Sequence, residues 1–541
     1  MADVTTDRGP RSPTPSPRPP EKTGRHAFLV GAGILLTRLA GLIRQSVFLH
    51  FFGLSDEADA FNTALRIPNF LQNLFGEGAL SASFIPVYSR LLAEGDEDEA
   101  DRVAGAVGSI LALTTSLLVL VGVLATPWLM PAIAPGFTGE KRALTIRLVR
   151  ILFPGVGLLV PSAWCLGILN SHRKFFLSYT APLAWNAAMI VTLFWFGGTE
   201  LSRLAVLLAW GSVIGSALQF GVQVPAVLRF APRLRASLDT ASAHVREVLR
   251  NFGPVFVSRG VVQLSAYVDN WLASWLGEGA VAGLTSAQLL YTLPVSLFGM
   301  AVSAAELPAM SSALGEQAEI AAHLRLRLNN GLRQIAFFIV PSAMAFLTLG
   351  GVITAALFQT GGRFRHGDSL YVWGILAGSS VGLLASTLGR LYSSTYYALR
   401  DTRTPLRYAA LRVALTTVLG YLCALPLPRW IGIDPRWGVA GLTASAGVAG
   451  WIEFTLLRRT LNRRIGTTGL PAWFTVRLWL AAIAGAAVAW GIKLAIGARN
   501  PFLAAVLILG PYGVTYFAAT YALGIEECAV LVGRALARAG L

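Results

Sequence analysis

From residue 27 to residue 524 the chain alternates long apolar runs with short polar intervals. The runs fall at about 27–52, 60–92, 103–133, 143–170, 178–197, 202–229, 246–276, 281–313, 329–358, 369–399, 405–427, 437–457, 471–496 and 500–524. About 20 apolar residues carry a helix across a bilayer, and each run reaches that length. Several exceed it enough to imply tilt or extension past the hydrocarbon. The pattern predicts an all-α polytopic membrane protein with about fourteen transmembrane helices.

Composition agrees. Of 541 residues, 54% are hydrophobic and 13% charged, against roughly 25% charged in soluble domains. The net charge of +16 would suggest nucleic acid in a soluble protein. Here the basic residues sit in short loops between apolar runs, where they set membrane orientation, so no nucleic-acid partner is expected. Cys165, Cys423 and Cys528 are far apart and form no CxxC pair, which leaves neither a disulfide framework nor a zinc knuckle. Residues 1–24, rich in Pro, Ser and Arg, read as a disordered cytoplasmic tail. No cleavable signal is evident, because the first apolar run is too long and carries two arginines.

The tail and every second loop after the fourth run are basic, for example around Arg229, Arg233 and Arg235, and around Arg458, Arg459, Arg463 and Arg464. Both termini are therefore expected in the cytoplasm. The acidic stretch EGDEDEAD over 94–101 falls on the same side and is the exception. A faint repeat joins LFGEGALSASFIPVYS, from Leu74, to LFGMAVSAAELPAMSS, from Leu297, with Gly53 and Gly277 at nearly the same offset. It predicts two pseudo-symmetric six-helix lobes, over 25–235 and 236–464. Two further spans and a short cytoplasmic C-terminus complete 465–541. Internal repeats are common in secondary transporters.

Much chemistry is absent. None of the four lysines follows a glycine, so there is no Walker A loop, and no histidine precedes a glutamate, so there is no HExxH. A GxSxG match at Gly378–Gly382 lies inside an apolar helix with no strand before it; it reads as a GxxxG packing device and not as a nucleophile elbow. The chain is read as a transporter and not an enzyme, with no cofactor and no metal.

The informative residues are ionisable groups inside apolar runs, which cost roughly 2.5–3.5 kcal/mol or more unless paired or hydrated. In the second run Asp59, Asn62, Arg66, Asn69, Asn73, Glu77 and Ser81 recur every three or four residues. They form one polar stripe on a helix bent by Pro68 and the Gly76/Gly78 pair, facing protein or a water-filled cavity. Arg38 and Arg44 lie in the first run, about 120° apart on a straight helix. Both reach one cavity only if it is wide or the helix bends near Gly41. Arginine suits a diphosphate, which its planar fork binds bidentately; internal pairing with Asp59 or Glu77 is the competing reading. Arg259 lies in the seventh run, which the repeat pairs with the first. Asp269, Glu306, Arg390 and Glu453 are expected to pair between helices.

The block TRLAGLIRQSVFLHFFG, followed by DAFNTALRIPNFLQNLFGEGALSASFIPVYSR, resembles the MurJ/MviN family of lipid II flippases. So do APGF at 134–137, GILNSHRKFFLSYTAPLAWN at 167–186, LFQTGGRF at 357–364 and YYALRDTRTP at 396–405. The resemblance covers about residues 27–530. It implies a bacterial inner-membrane protein of the multidrug/oligosaccharidyl-lipid/polysaccharide exporter superfamily, with two lobes around a cationic cavity. It also implies that the last two helices form a groove for a polyprenyl tail. The implied substrate is lipid II, the undecaprenyl-diphosphate-linked precursor of peptidoglycan, flipped by alternating access in a protein that works as a monomer among membrane lipids. Arg38 and Arg44 match two arginines important to the family, and Asp59 and Glu77 its acidic positions. Gln72 replaces an arginine common in the second helix, and Leu289 and Thr292 stand where the family carries a functional arginine and glutamate. Arg259 is expected to replace part of that charge.

The substrate-binding set expected for the cavity is therefore Arg38, Arg44, Asp59, Arg66, Asn69, Asn73, Glu77 and Arg259. A flippase for another polyprenyl-diphosphate saccharide is the alternative. A drug/cation antiporter would need an acidic cavity, and a non-transporting scaffold would need no polar stripe. Energy would come from the membrane potential or an ion gradient.

Overall fold

The computed structural model describes residues 23–75, 77–311, 316–496 and 500–539. Nearly all of the expected tail therefore lies outside the described residues. The first lobe holds α1 (Thr23–Phe52), α2 (Asp56–Phe75), α3 (Glu77–Glu94), α4 (Glu97–Ile133), α5 (Gly139–Ser171), α6 (Phe175–Thr180), α7 (Pro182–Phe196) and α8 (Leu201–Phe230). The second holds α9 (Ala243–Ala273), α10 (Ala280–Pro294), a π-helical turn (Val295–Met300), α11 (Ala301–Ser311) and α12 (Gln317–Phe358). It continues with α13 (His366–Ser380), α14 (Leu383–Ala398), α15 (Arg403–Ala424), α16 (Pro426–Trp430) and α17 (Gly438–Ile465). Then come α18 (Ala472–Ala495), α19 (Pro501–Ala522) and α20 (Glu526–Ala539).

Each of the fourteen apolar runs falls, among the described residues, on one helix or on two or three consecutive helical elements. Among the described residues ten spans are long and apolar enough to cross a membrane, or eleven if α13 and α14, bent by 43°, count as one. Three differences from the sequence reading stand out. The second run is described as α2 and α3 and begins four residues earlier, where Asp56, Glu57 and Asp59 put negative charge on the first turn of α2. The helix α12 starts at Gln317 and runs for 42 residues, about 63 Å at 1.5 Å per residue, twice the hydrocarbon thickness. The short C-terminus is a helix, α20, whose Glu527 and Glu526 accept hydrogen bonds from Arg333 on α12 at 2.6 and 3.1 Å.

The repeat has a geometric counterpart. LFGE spans the end of α2 and the start of α3, and LFGM lies in the π-helical turn after α10, so the motif holds corresponding places in the two lobes. A second match lies in the turns after α5 and α14. Lys174 N–H bonds Leu169 O and Arg173 N–H bonds Asn170 O; Asp401 N–H bonds Tyr396 O and Arg400 N–H bonds Tyr397 O. Arg173 and Arg400 both take positive φ, 60° and 59°.

Packing within each lobe follows small residues and prolines. Gly382, at the end of the GxSxG match, lies so close to Gly447 on α17 that a Cβ would overlap its Cα, which is the packing role expected of that sequence. Pro341 has no N–H to offer the carbonyl of Phe337 one turn earlier. The hydroxyl of Tyr516 on α19 donates to that carbonyl at 2.6 Å, and Tyr512 donates to Pro341 O at 2.7 Å. Thus α19, which packs with α18 on α12, satisfies a backbone group that lipid could not.

The acidic stretch over 94–101 has partners. Asp98 pairs with Arg233, and Asp101 accepts the Arg233 backbone N–H at 3.0 Å. Glu99 accepts from Ser242 at 3.0 Å and meets His244 at 3.3 Å. Its charge therefore docks the linker between the lobes and the start of α9.

In the turn before α15, Asp401 accepts from Thr404 N–H at 3.0 Å, from the Thr404 hydroxyl at 2.7 Å and from Arg464 at 2.6 Å. These contacts hold its carboxyl down at about 2, against about 3.9 for a free aspartate. A depressed carboxylate contributes stability above the unfolded value and loses it as pH falls through the folded one. Asp401→Asn should therefore lower the thermal midpoint of the detergent-solubilised protein at pH 7. The gap to wild type should close as pH falls from about 4 to about 2.

Candidate functional site

The polar stripe of α2 faces inward. Asn62, Arg66, Asn69 and Asn73, spaced by three or four residues, line one cavity of about 510 Å³. Arg44 and Gln45 of α1 line it too, with Trp185, Asn186 and Met189 of α7 and further contributions from α5, α8 and α10. Its charged lining residues are both arginines; no carboxylate lines it among the described residues.

The two cations are held differently. Arg44 lies over the ring of Trp185, 4.9 Å from its centroid, and its Nη1 reaches only the Met189 sulfur, at 3.8 Å. Its Nε is buried with no hydrogen-bond partner among the described residues. Arg66 donates to Gln288 Oε1 on α10 at 3.0 Å, while its backbone carbonyl accepts from Tyr267 on α9 at 2.6 Å. Asp269 on α9 interacts with it electrostatically. Gln45 adds a second bridge between lobes, donating to Ser286 on α10 at 3.1 Å.

Asp59 belongs to a different structure. It does not line the cavity. Fully buried, it accepts from the backbone N–H groups of Gly279 and Ala282, both at 2.8 Å, and so caps the N-terminus of α10 from the other lobe. Lys141 on α5 completes the latch, 2.7 Å from both Asp59 and Asp56. Gly279 is required there, since its φ is +76° and a Cβ would stand 2.7 Å from that of Leu54. Asp59 follows the spacing of the stripe, but one turn beyond the cavity the stripe meets a helix end instead of open space.

Arg38 also departs from the expectation. It is exposed and does not line the cavity, whereas Thr37 and Arg44 do. The helix α1 runs unbroken from Thr23 to Phe52, so six residues turn Arg38 away from the face that carries Arg44. The side chains of Glu77 and Arg259 lie outside the described residues. Of the departures, Gln72 lines the cavity, while Leu289 and Thr292 do not. Glu306 pairs with Arg327 at 3.7 Å and Glu453 with Arg412 at 3.2 Å, as expected of helix-to-helix contacts.

The family model for the lipid II flippase MurJ matches residues 48–510. The chain belongs to the MurJ family. The lipid II flippase MurJ of Burkholderia cenocepacia is 30% identical over 520 residues, which are 93% of this chain and 98% of that one. The probable lipid II flippase MurJ of Bdellovibrio bacteriovorus is 31% identical over 536 residues, 94% of this chain and 96% of its own. A solved structure described as lipid II flippase MurJ in an inward closed conformation shares the fold, with a TM-score of 0.76 at 24% identity, covering 92% of this chain and 98% of its own. An inward-facing multidrug MATE transporter shares it with a TM-score of 0.63 at 19% identity, over 82% of this chain and all of that one.

Membership in the MurJ family and the apolar spans make this a multi-pass protein of the bacterial inner membrane. Sequence reasoning missed Lys141, Gln45, Trp185, Asn186 and Met189. Trp185 and Asn186 stand inside a block that carries the MurJ resemblance, APLAWN, which was the available signal. Lys141 was legible only as one of few lysines.

The latch has a measurable strength. Removing one partner of a buried charged pair costs roughly 3–5 kcal/mol. Asp59→Ala should therefore lower the thermal midpoint sharply, and Asp59→Asn, which can still accept one backbone N–H, by less. In Asp59→Ala a cysteine at Asn62 should react faster with a membrane-impermeant maleimide added from the Asp59 side.

Proposed function

We propose that this chain moves lipid II from the inner to the outer leaflet of the inner membrane by alternating access of one cationic cavity. The observation that carries this reading is a buried cavity with two arginines and no lining carboxylate among the described residues, in a member of the MurJ family. A diphosphate dragged through hydrocarbon would lose its hydration. In the cavity Arg44 and Arg66 replace water with charge-assisted hydrogen bonds, and the asparagines of α2 offer donors and acceptors to the attached sugars. The chain acts as a transporter and not an enzyme.

At about 510 Å³ the cavity is the size of a small-molecule site. In this conformation it takes the diphosphate and the adjoining sugar, and the rest of the headgroup requires the lobes to separate. The basic loops put both termini in the cytoplasm and the Asp59 end outside. Release of the α10 N-terminus by Asp59 and Lys141 then opens the outer exit. On the inner side the lobes meet through Arg90 and Glu247, 2.7 Å apart.

The test is rescue of a bacterium depleted of its own lipid II flippase. Wild type should restore growth, and Arg44→Ala and Arg66→Ala, at equal membrane levels, should not. Loss of a charged hydrogen-bonding partner weakens diphosphate binding by about 10- to 100-fold. Failure of well-inserted wild type to rescue would overturn the assignment.

A further inference from the structure

We propose that Trp185 is the positioning residue that presents Arg44 to the diphosphate, and that Asn186 reads the sugar attached to it. This rests on the reading that the cavity takes a lipid-linked diphosphate saccharide. The guanidinium of Arg44 sits over the Trp185 ring at 4.9 Å and has no carboxylate partner among the described residues. An aromatic face attracts the cation without neutralising it and leaves the N–H edge unused. A carboxylate would occupy that edge. The unused edge is visible here: among the described residues Nε is buried without a hydrogen-bond partner and Nη1 meets only the soft Met189 sulfur. A buried donor left unmet is costly, and an anionic oxygen in the cavity would satisfy it.

The ring cannot swing away. Its Nε1–H donates to Ser212 Oγ on α8 at 3.1 Å. Gly215, one turn further along α8, lies so near that a Cβ there would stand 3.0 Å from the indole Cδ1. The packing of α7 on α8 therefore fixes where the Arg44 charge is held.

Asn186 is the next residue on α7, is buried and lines the same cavity. Its Nδ2 donates to Pro182 O at 3.0 Å. Because a carbonyl can only accept, this bond fixes the amide orientation and leaves Oδ1, an acceptor, buried and unpartnered. Phosphate oxygens are acceptors and repel such a group. Its complement is a donor beside the phosphate: a hydroxyl or acetamido N–H of the first sugar.

The experiment measures equilibrium binding to the full chain in nanodiscs of two probes, undecaprenyl diphosphate and the same lipid carrying one N-acetylated sugar. Trp185→Leu should weaken both by about tenfold, while Trp185→Phe, which keeps an aromatic face, should weaken them by about threefold or less. Asn186→Leu should weaken only the sugar-bearing lipid, by about tenfold. Should Trp185→Leu not fold, Ser212→Ala, which frees the indole, should weaken both probes by about two- to threefold. Wild-type affinity in Trp185→Leu or, in its place, Ser212→Ala would overturn the positioning role. Equal effects of Asn186→Leu on the two probes, or none on either, would overturn the sugar contact. Failure of wild type to bind either probe would instead overturn the functional reading beneath it.

Discussion

An ionised group inside a bilayer needs a partner or water, and the arrangement of α2 follows from that constraint. Its stripe meets the requirement in two ways along one helix. At the first turn Asp59 finds two backbone N–H groups and a lysine, which ties the lobes together. Over the next turns Arg66 and the asparagines find each other's cavity, with Gln288 reaching across from the second lobe. One helix therefore carries both the latch and the binding surface, and moving the first displaces the second.

The two lobes share more than helix count. The LFG motif falls between α2 and α3 in one and on a π-helical turn in the other, and the turns after α5 and α14 match as well, with Arg173 and Arg400 both at positive φ. Interrupted helices next to a cavity are tolerated because protein, not lipid, satisfies the freed backbone groups. The Tyr516 bond to the carbonyl left open by Pro341 satisfies a freed backbone group in the same way, close to the π-helical turn of the second lobe.

What was legible in the sequence was what depends on local order. Apolar length gave the spans, and three-to-four spacing gave the cavity face of α2 at Asn62, Arg66, Asn69 and Asn73. Spacing failed where the answer lay some 220 residues away. Asp59 has the periodicity of a cavity residue, but the end of α10 stands in front of it. Arg38 is expected in the cavity from the resemblance, yet an unbroken α1 turns it away from the face that carries Arg44. Trp185 carries no polar signal within an apolar run, so its part beneath Arg44 shows only in three dimensions. The acidic stretch at 94–101 looked anomalous because its basic partners lie more than 130 residues later, in the linker.

The central claim is that Arg44 and Arg66 make this cavity a carrier for a lipid-linked diphosphate. The most direct measurement is flipping of fluorescent lipid II by the purified protein in liposomes, read by a membrane-impermeant quencher, with the Arg44→Ala, Arg66→Ala double variant alongside. The account predicts quenching that grows with time and protein for wild type and stays at the protein-free level for the double variant. Equal flipping by both proteins would contradict it.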